Sequence, residues 1–433
     1  MSGDLYLGKD SLKRPFTIKA ETLNQHVLVL GTTGSGKTTT LYNFLDYHLK
    51  HENAQIIIDG KGDQEFLDRV KALAKTSNRP FYFFSLTDSQ SMNYNPFALG
   101  TPGELADKLM SLTDWSEEHY KLSSQRFLQL LFRVFEQKQV VADLPAIVRF
   151  FDKQALIDLL SESKAPRKDI IHSSDFDPFT PITEKNSKID EELLEALASI
   201  DEIAIKGFRG RLGILSEGDH RDLLKSQGEG VLELSRALDE KAIVLFSLDS
   251  LKYPEQARLF GKLVIADIKT QVTLHRTKRP GQQVSLLFDE FNVFVSSNVM
   301  DLVTKSRSAG FCIVLSMQGF SDIDRLESGV ALHRQIVQNC NTVIVQRIND
   351  PQDADELASM FGTKETYLIT FQVDEFGATD VGSMRPEQEF KIHPNDIKGL
   401  KLGEAFVKYH DPKKRLKVTH VWINNVFDNK IAT

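Results

Sequence analysis

Cysteine is nearly missing from this sequence, with two in 433 residues, Cys312 and Cys340. Both stand in or beside apolar stretches, where a thiol behaves as a small hydrophobe, so neither a disulfide framework nor a cysteine-based zinc site is supported. Long hydrophobic runs are missing too. No stretch approaches the roughly 18 consecutive apolar residues of a membrane span, and the N-terminus has no signal-peptide core. The chain as given therefore reads as soluble and cytoplasmic. Positive charge is in deficit, with 53 Lys and Arg against 60 Asp and Glu and a net charge of −7. That balance argues against a uniformly basic nucleic-acid binder, so any polynucleotide contact must come from a local patch or from a surface repeated in an oligomer. The eleven histidines show no metal-ligand spacing. Internal repeats and low-complexity tracts are also lacking.

What is present is led by the stretch Val27-Leu28-Val29-Leu30-Gly31-Thr32-Thr33-Gly34-Ser35-Gly36-Lys37-Thr38-Thr39-Thr40. An apolar run enters a glycine-rich turn and then an amphipathic helix with Leu41, Phe44, Leu45 and Leu49 on one stripe. Gly31, Gly36, Lys37 and Thr38 have the spacing of a phosphate-binding loop. Small residues let backbone N–H groups face a phosphate, and the helix N-terminus adds its positive end. ATP is the expected ligand of Gly31 to Thr39, with Lys37 reaching the β and γ phosphates. Thr38 would offer its hydroxyl to Mg²⁺, which keeps several waters and needs few protein oxygens.

Along the chain, Met1 to Gln25 reads as a polar lead-in with a short strand near Phe16 to Ile18. Apolar strands at Ile56–Asp59 and Phe81–Phe84 alternate with helical stretches, which points to a parallel sheet covered on both faces. From Thr101 to Ser235 only helical periodicity is visible, as in Phe127, Leu130, Leu131, Val134 and Phe135, interrupted by a proline-bearing loop from Ser161 to Lys188. Strands resume at Ile243–Phe246, Val284–Phe288, Phe311–Met317 and Thr342–Val345, and the tail has two more, Glu404–Tyr409 and Arg415–Ile423. The expected fold is an α/β RecA-like P-loop ATPase with a largely parallel sheet. Its nucleotide-binding domain would comprise residues 1–98 and 236–433, with an all-α domain, 99–235, inserted between them.

At the tip of Leu286-Leu287-Phe288 stand Asp289 and Glu290. A carboxylate there can hold the water shell of Mg²⁺, and its neighbour can orient or deprotonate the attacking water. Asp289 is assigned to the metal and Glu290 to the water. Phosphoryl transfer also needs positive charge at the breaking bond, and Arg307, Arg334 and Arg347 compete for that role. Two basic runs, Lys206–Arg211 and His275–Arg279, offer DNA contacts, although such runs are more often solvated faces; Lys413-Lys414-Arg415 reads as a hairpin tip.

Gly31–Thr38, Asn93–Phe97, Asp289-Glu290-Phe291, Lys305–Gly310, Ser316-Met317-Gln318, and Gln338–Asn341 with the Asp350-Pro351 helix together resemble the conjugative coupling proteins. These are type IV secretion ATPases of the TraD and TraG kind, within the FtsK and HerA motor superfamily. The resemblance implies that Arg307, before the Ala-Gly turn, acts across a subunit interface and that Gln318 senses the γ-phosphate. It also implies a homo-hexameric ring that passes single- or double-stranded DNA, with relaxase or relaxosome and secretion-channel proteins as partners, at the cytoplasmic face of the inner membrane. Typical coupling proteins begin with membrane-spanning helices, which this sequence lacks. The expectation is either the cytosolic portion of a longer protein or a soluble relative, reaching a membrane only through a partner or a missing segment. The alternatives to a DNA-transfer pump are a soluble HerA-like DNA-processing motor and a nucleotide-regulated recruitment module.

Overall fold

In chain order the strands are β1 (Leu5–Asp10), β2 (Pro15–Ile18), β3 (Val27–Leu30), β4 (Ala54–Asp59), β5 (Phe81–Ser85), β6 (Ile243–Ser247), β7 (Val284–Asp289), β8 (Phe311–Met317), β9 (Thr342–Val345), β10 (Thr363–Asp374), β11 (Gly377–Phe390), β12 (Glu404–His410) and β13 (Leu416–Ile423). The computed structural model describes residues 3–113, 115, 117–161, 182–226, 230–326, 328–374, 377–410 and 415–427. Internal contacts divide the chain into one unit of Met1–Ile58, Asp68–Ser77 and Gly281–Thr433, and another of Asp59–Leu67 and Asn78–Pro280.

The first unit is built on strands in the order β2-β1-β13-β12-β9-β3-β8-β7-β4. Its centre is parallel, β9-β3-β8-β7. These strands are buried along their whole length, which is why they read as unbroken apolar runs. The α/β expectation with a parallel core therefore holds. Beyond β9 the sheet turns antiparallel, through β12, β13, β1 and β2. The lead-in supplies two strands of that wing: β2 matches the short strand expected near Phe16 to Ile18, whereas β1 is a correction. Their alternation spans only six and four residues, and register shifts between Tyr6 and Gly8. A Cβ at Gly8 would stand 1.9 Å from the Trp422 carbonyl oxygen, so only glycine allows this approach. A separate two-stranded ribbon, β10 with β11, was not foreseen either.

The second unit holds the parallel pair β5 and β6 and a run of helices. From Pro102 to Ser216 these are Pro102–Met110, Glu118–Lys138, Leu144–Phe150, Lys153–Ser161, Ile182–Ala198 and Glu202–Ser216. Starts are set locally: Thr101 and Glu104 form a capping box, and Asp143 accepts the Ala146 N–H at 2.9 Å. The stripe Phe127, Leu130, Leu131, Val134 and Phe135 is buried, and the Phe127 ring packs edge-on against Phe151. Of the loop expected from Ser161 to Lys188, residues 162–181 lie outside the described residues, as do Lys413-Lys414, and the loop's end is a correction, being the start of the helix Ile182–Ala198. The proposed insertion, 99–235, lies inside this unit, which also takes in β5, β6 and the helix Pro254–Lys278. A buried polar knot ties the Asn93–Phe97 segment down. Lys108 Nζ donates to the Pro96 and Leu99 carbonyls and to Asp267 Oδ1, while Tyr94 donates to Asp267 Oδ2 at 2.7 Å.

Candidate nucleotide-binding site

β3 delivers the chain to the edge of the sheet, and Gly31 to Gly36 turn it into the helix Lys37–Lys50. Gly36 serves as the N-cap at φ 104 and Gly34 adopts φ 74, both in the region that glycine enters at little cost. A Cβ at Gly31 would meet Ser35 Oγ at 2.4 Å. No side chain caps the helix, which leaves its first-turn amides, those of Thr38 and Thr39 among them, without a side-chain acceptor at the end where an anion binds most readily. Lys37 is 8% exposed, and its Nζ donates to the Gly31 carbonyl at 2.6 Å and the Thr32 carbonyl at 3.4 Å. Its charge is held inside the turn.

The loop is braced from behind by a residue that sequence reasoning missed. Gln346 directly follows β9 and is fully buried. Its Oε1 accepts from Ser35 Oγ at 3.2 Å, and its Nε2 donates to Thr40 Oγ1 at 3.0 Å. The next residues join in: the Thr32 N–H donates to the Arg347 carbonyl at 2.8 Å, and Asn349 Nδ2 to Thr32 Oγ1 at 3.4 Å. No local pattern signals Gln346, because its partners lie about three hundred residues away in the chain.

Asp289 ends β7 and is 6% exposed; its Oδ1 accepts from Ser316 Oγ and from the Glu290 N–H, both at 3.1 Å. Ser316, on β8, was also missed. β8 separates β7 from β3, so Asp289 lies two strand spacings, about 10 Å, from the strand that carries the loop. Glu290 adopts φ 52 and ψ 54, a left-handed conformation that is sparsely populated for a non-glycine residue and tends to occur at functional sites. Gln318 follows β8 and reaches the loop, where Thr33 Oγ1 donates to its Oε1 at 3.4 Å. The loop, Asp289, Glu290 and Gln318 thus share one edge of the sheet.

Arg307 does not join them. It is exposed in the 3₁₀ turn Arg307–Ala309, ahead of β8, whereas Gln318 lies beyond the strand's other end. Seven residues of β8 span about 23 Å. Its neighbourhood supports that placement. Burial drops the His26 imidazole to about 4, helped by the nearby Arg307 guanidinium, and His26 directly precedes β3. Of the other candidates, Arg347 touches the loop through its carbonyl, and Arg334 is exposed on the helix Gly329–Asn339.

One basic run needs correction. Arg279 is buried, with Nε donating to Asp239 Oδ1 at 2.7 Å and Nη2 to the Ser235 carbonyl, and His275 is buried too. The tail of Pro254–Lys278 is therefore partly structural. On Glu202–Ser216, Lys206 and Arg211 are exposed, while Arg209 pairs with Asp152 at 3.2 Å.

Two family descriptions match the chain: "TraM recognition site of TraD and TraG" over residues 283–391, and "Type IV secretion-system coupling protein DNA-binding domain" over residues 13–80. The type 4 coupling protein DotL of Legionella pneumophila is 21% identical over 449 residues, covering 89% of this chain and 56% of that protein. By these matches the chain is similar to the type IV coupling proteins. It spans about half the length of that curated relative. Among solved coupling proteins, TrwBdeltaN70 superposes with a TM-score of 0.63 at 13% identity, covering 97% of this chain and 88% of that one. TrwB in complex with ADP and Mg²⁺ gives 0.62 at 14% identity, covering 94% and 87%. Both likenesses concern the fold. Among the described residues, no helix of this chain is long and apolar enough to cross a membrane.

Proposed function

We propose that this chain is the motor portion of a coupling ATPase that binds Mg-ATP at subunit interfaces and drives DNA through a homo-hexameric ring in conjugative transfer or type IV secretion. The observation that carries the reading is the split of the expected catalytic set. The loop, Asp289, Glu290 and Gln318 share one sheet edge, whereas Arg307 lies about 23 Å away along β8. An arginine so placed serves a neighbour's nucleotide, not its own.

Gly31 to Thr39 would cradle the phosphates and Lys37 would meet the β and γ oxygens. The hydroxyl of Thr38 and the carboxylate of Asp289 are hard oxygen donors suited to Mg²⁺, which supplies charge neutralisation at the β and γ phosphates. Ser316 and the Glu290 N–H orient Asp289. Glu290 takes the proton of the attacking water, Gln318 contacts the γ-phosphate, and Arg307 of the adjacent subunit stabilises the charge on the leaving side, worth roughly 10³ to 10⁵ in rate. DNA would be gripped through phosphates with little base preference, by Lys206 and Arg211 repeated around the ring. The family described for 283–391 supports a relaxosome component as partner.

The test is ATPase rate per subunit against protein concentration, with and without single- and double-stranded DNA. Turnover should rise with concentration and with polynucleotide, and Lys37→Ala should abolish it. A dilute, strictly monomeric preparation with full, DNA-indifferent turnover would overturn the motor.

A further inference from the structure

The turn that carries Gln318 is held by a carboxylate from another element. Asp353 lies in the first turn of the helix Pro351–Phe361, whose N-cap is Asp350, and is 5% exposed. An acidic residue in a first turn ordinarily faces its own helix dipole. Here Asp353 Oδ2 instead accepts the Phe320 N–H at 3.0 Å, from a segment 33 residues earlier. The intervening residue is shaped for this contact, since a Cβ at Gly319 would stand 2.1 Å from the same oxygen. On its other side the turn is packed by the Phe320 ring, stacked on His333 with centroids 3.7 Å apart. Burial raises the Asp353 carboxyl above its ordinary value, the Phe320 and Ser321 N–H groups oppose that shift, and the nearby carboxylates of Asp350 and Glu356 add to it. Its charge is therefore a cost to the fold, which a residue kept only for packing would avoid.

We propose that Asp353 is the positioning residue for Gln318: it pins the Gly319–Phe320 backbone so that the Gln318 amide stays against Thr33 of the phosphate-binding loop. The role rests on the reading of Gln318 as the γ-phosphate contact. Asp353 itself touches neither nucleotide nor metal. Its loss would displace the amide by a fraction of a turn while leaving the ADP-binding part of the loop in place.

The experiment uses the full chain and measures steady-state ATPase together with affinity for ADP, which has no γ-phosphate. Asp353→Ala should lower kcat roughly 10- to 100-fold, the scale of a misplaced catalytic contact. ADP affinity should stay within about twofold, since only the γ-phosphate contact is disturbed. Asp353→Asn should recover most of the turnover, because its amide oxygen can still accept the Phe320 N–H. Gly319→Ala should reproduce the Asp353→Ala loss by steric means. Adding Asp353→Ala to Gln318→Ala should cost nothing further. Full turnover in Asp353→Ala beside a large loss in Gln318→Ala sinks the positioning role alone. A multiplicative double variant, or a parallel loss of ADP affinity, does the same. Full turnover in Gln318→Ala removes the reading of Gln318 and the clamp with it.

Discussion

Burial holds the His26 imidazole at about 4 and the His48 imidazole at about 3, both far below the ordinary value. An unfolded chain binds protons at these sites near pH 6.5 and the folded chain does not, so the stability they permit is complete above that pH. It is lost progressively as pH falls from 6.5 toward 4 and 3. At pH 5 each imidazole removes up to about 2 kcal/mol. Urea unfolding at pH 7 and pH 5 should show this as a lower midpoint in acid, and His48→Gln should flatten the dependence; an identical acid loss in that variant would contradict the assignment. Residues of this kind are the least legible in a sequence. Gln346 and Asp353 carry no motif, and Ser316, though part of the Ser316-Met317-Gln318 stretch, carries no local sign of its role, since each acts on a partner brought near by the fold. Lys37, Asp289 and Glu290 were readable because a phosphate-binding turn and an acidic strand tip need only a few adjacent residues.

At the scale of elements, the turn between Arg307 and β8 depends on one glycine. Gly310 adopts φ 84, and a Cβ there would stand 2.5 Å from the Gln282 carbonyl oxygen. Gly310→Ala should therefore destabilise the protein by about 1 to 3 kcal/mol, measured as a lower denaturation midpoint with an unchanged slope. A midpoint equal to the parent's would show that the turn relaxes freely. Strands buried on both sides were legible as apolar runs, and so was the helix whose N-cap is Asp350 and whose end is Gly362. The β10–β11 ribbon was not. Its apolar Tyr367, Ile369, Met384 and Pro386 fall on one face by register, yet all four are exposed, and Leu368 on the other face opposite Arg385 breaks the alternation of apolar and polar positions. β1 escaped for a different reason, being short and interrupted at Gly8, whereas the Phe16–Ile18 part of β2 was legible.

For the whole molecule the proposed chemistry is shared between copies, and mixing tests that sharing. Glu290→Gln and Arg307→Ala subunits should each be inactive alone. Combined, they should regain part of the parent ATPase rate, because some interfaces then pair an intact Glu290 with an intact Arg307. A mixture as inactive as its components would place both residues in the same subunit's site. The sequence by itself determined the loop, the acidic strand tip and the α/β class, since each depends on residues adjacent in the chain or on a short period. Only the tertiary structure decided that Gln346 braces the loop, that Asp353 holds the Gln318 turn, and that Arg307 lies a strand's length from the edge that carries the loop. Those facts follow from strand order and parallel direction, which are settled by packing among distant segments and leave no mark on neighbouring residues.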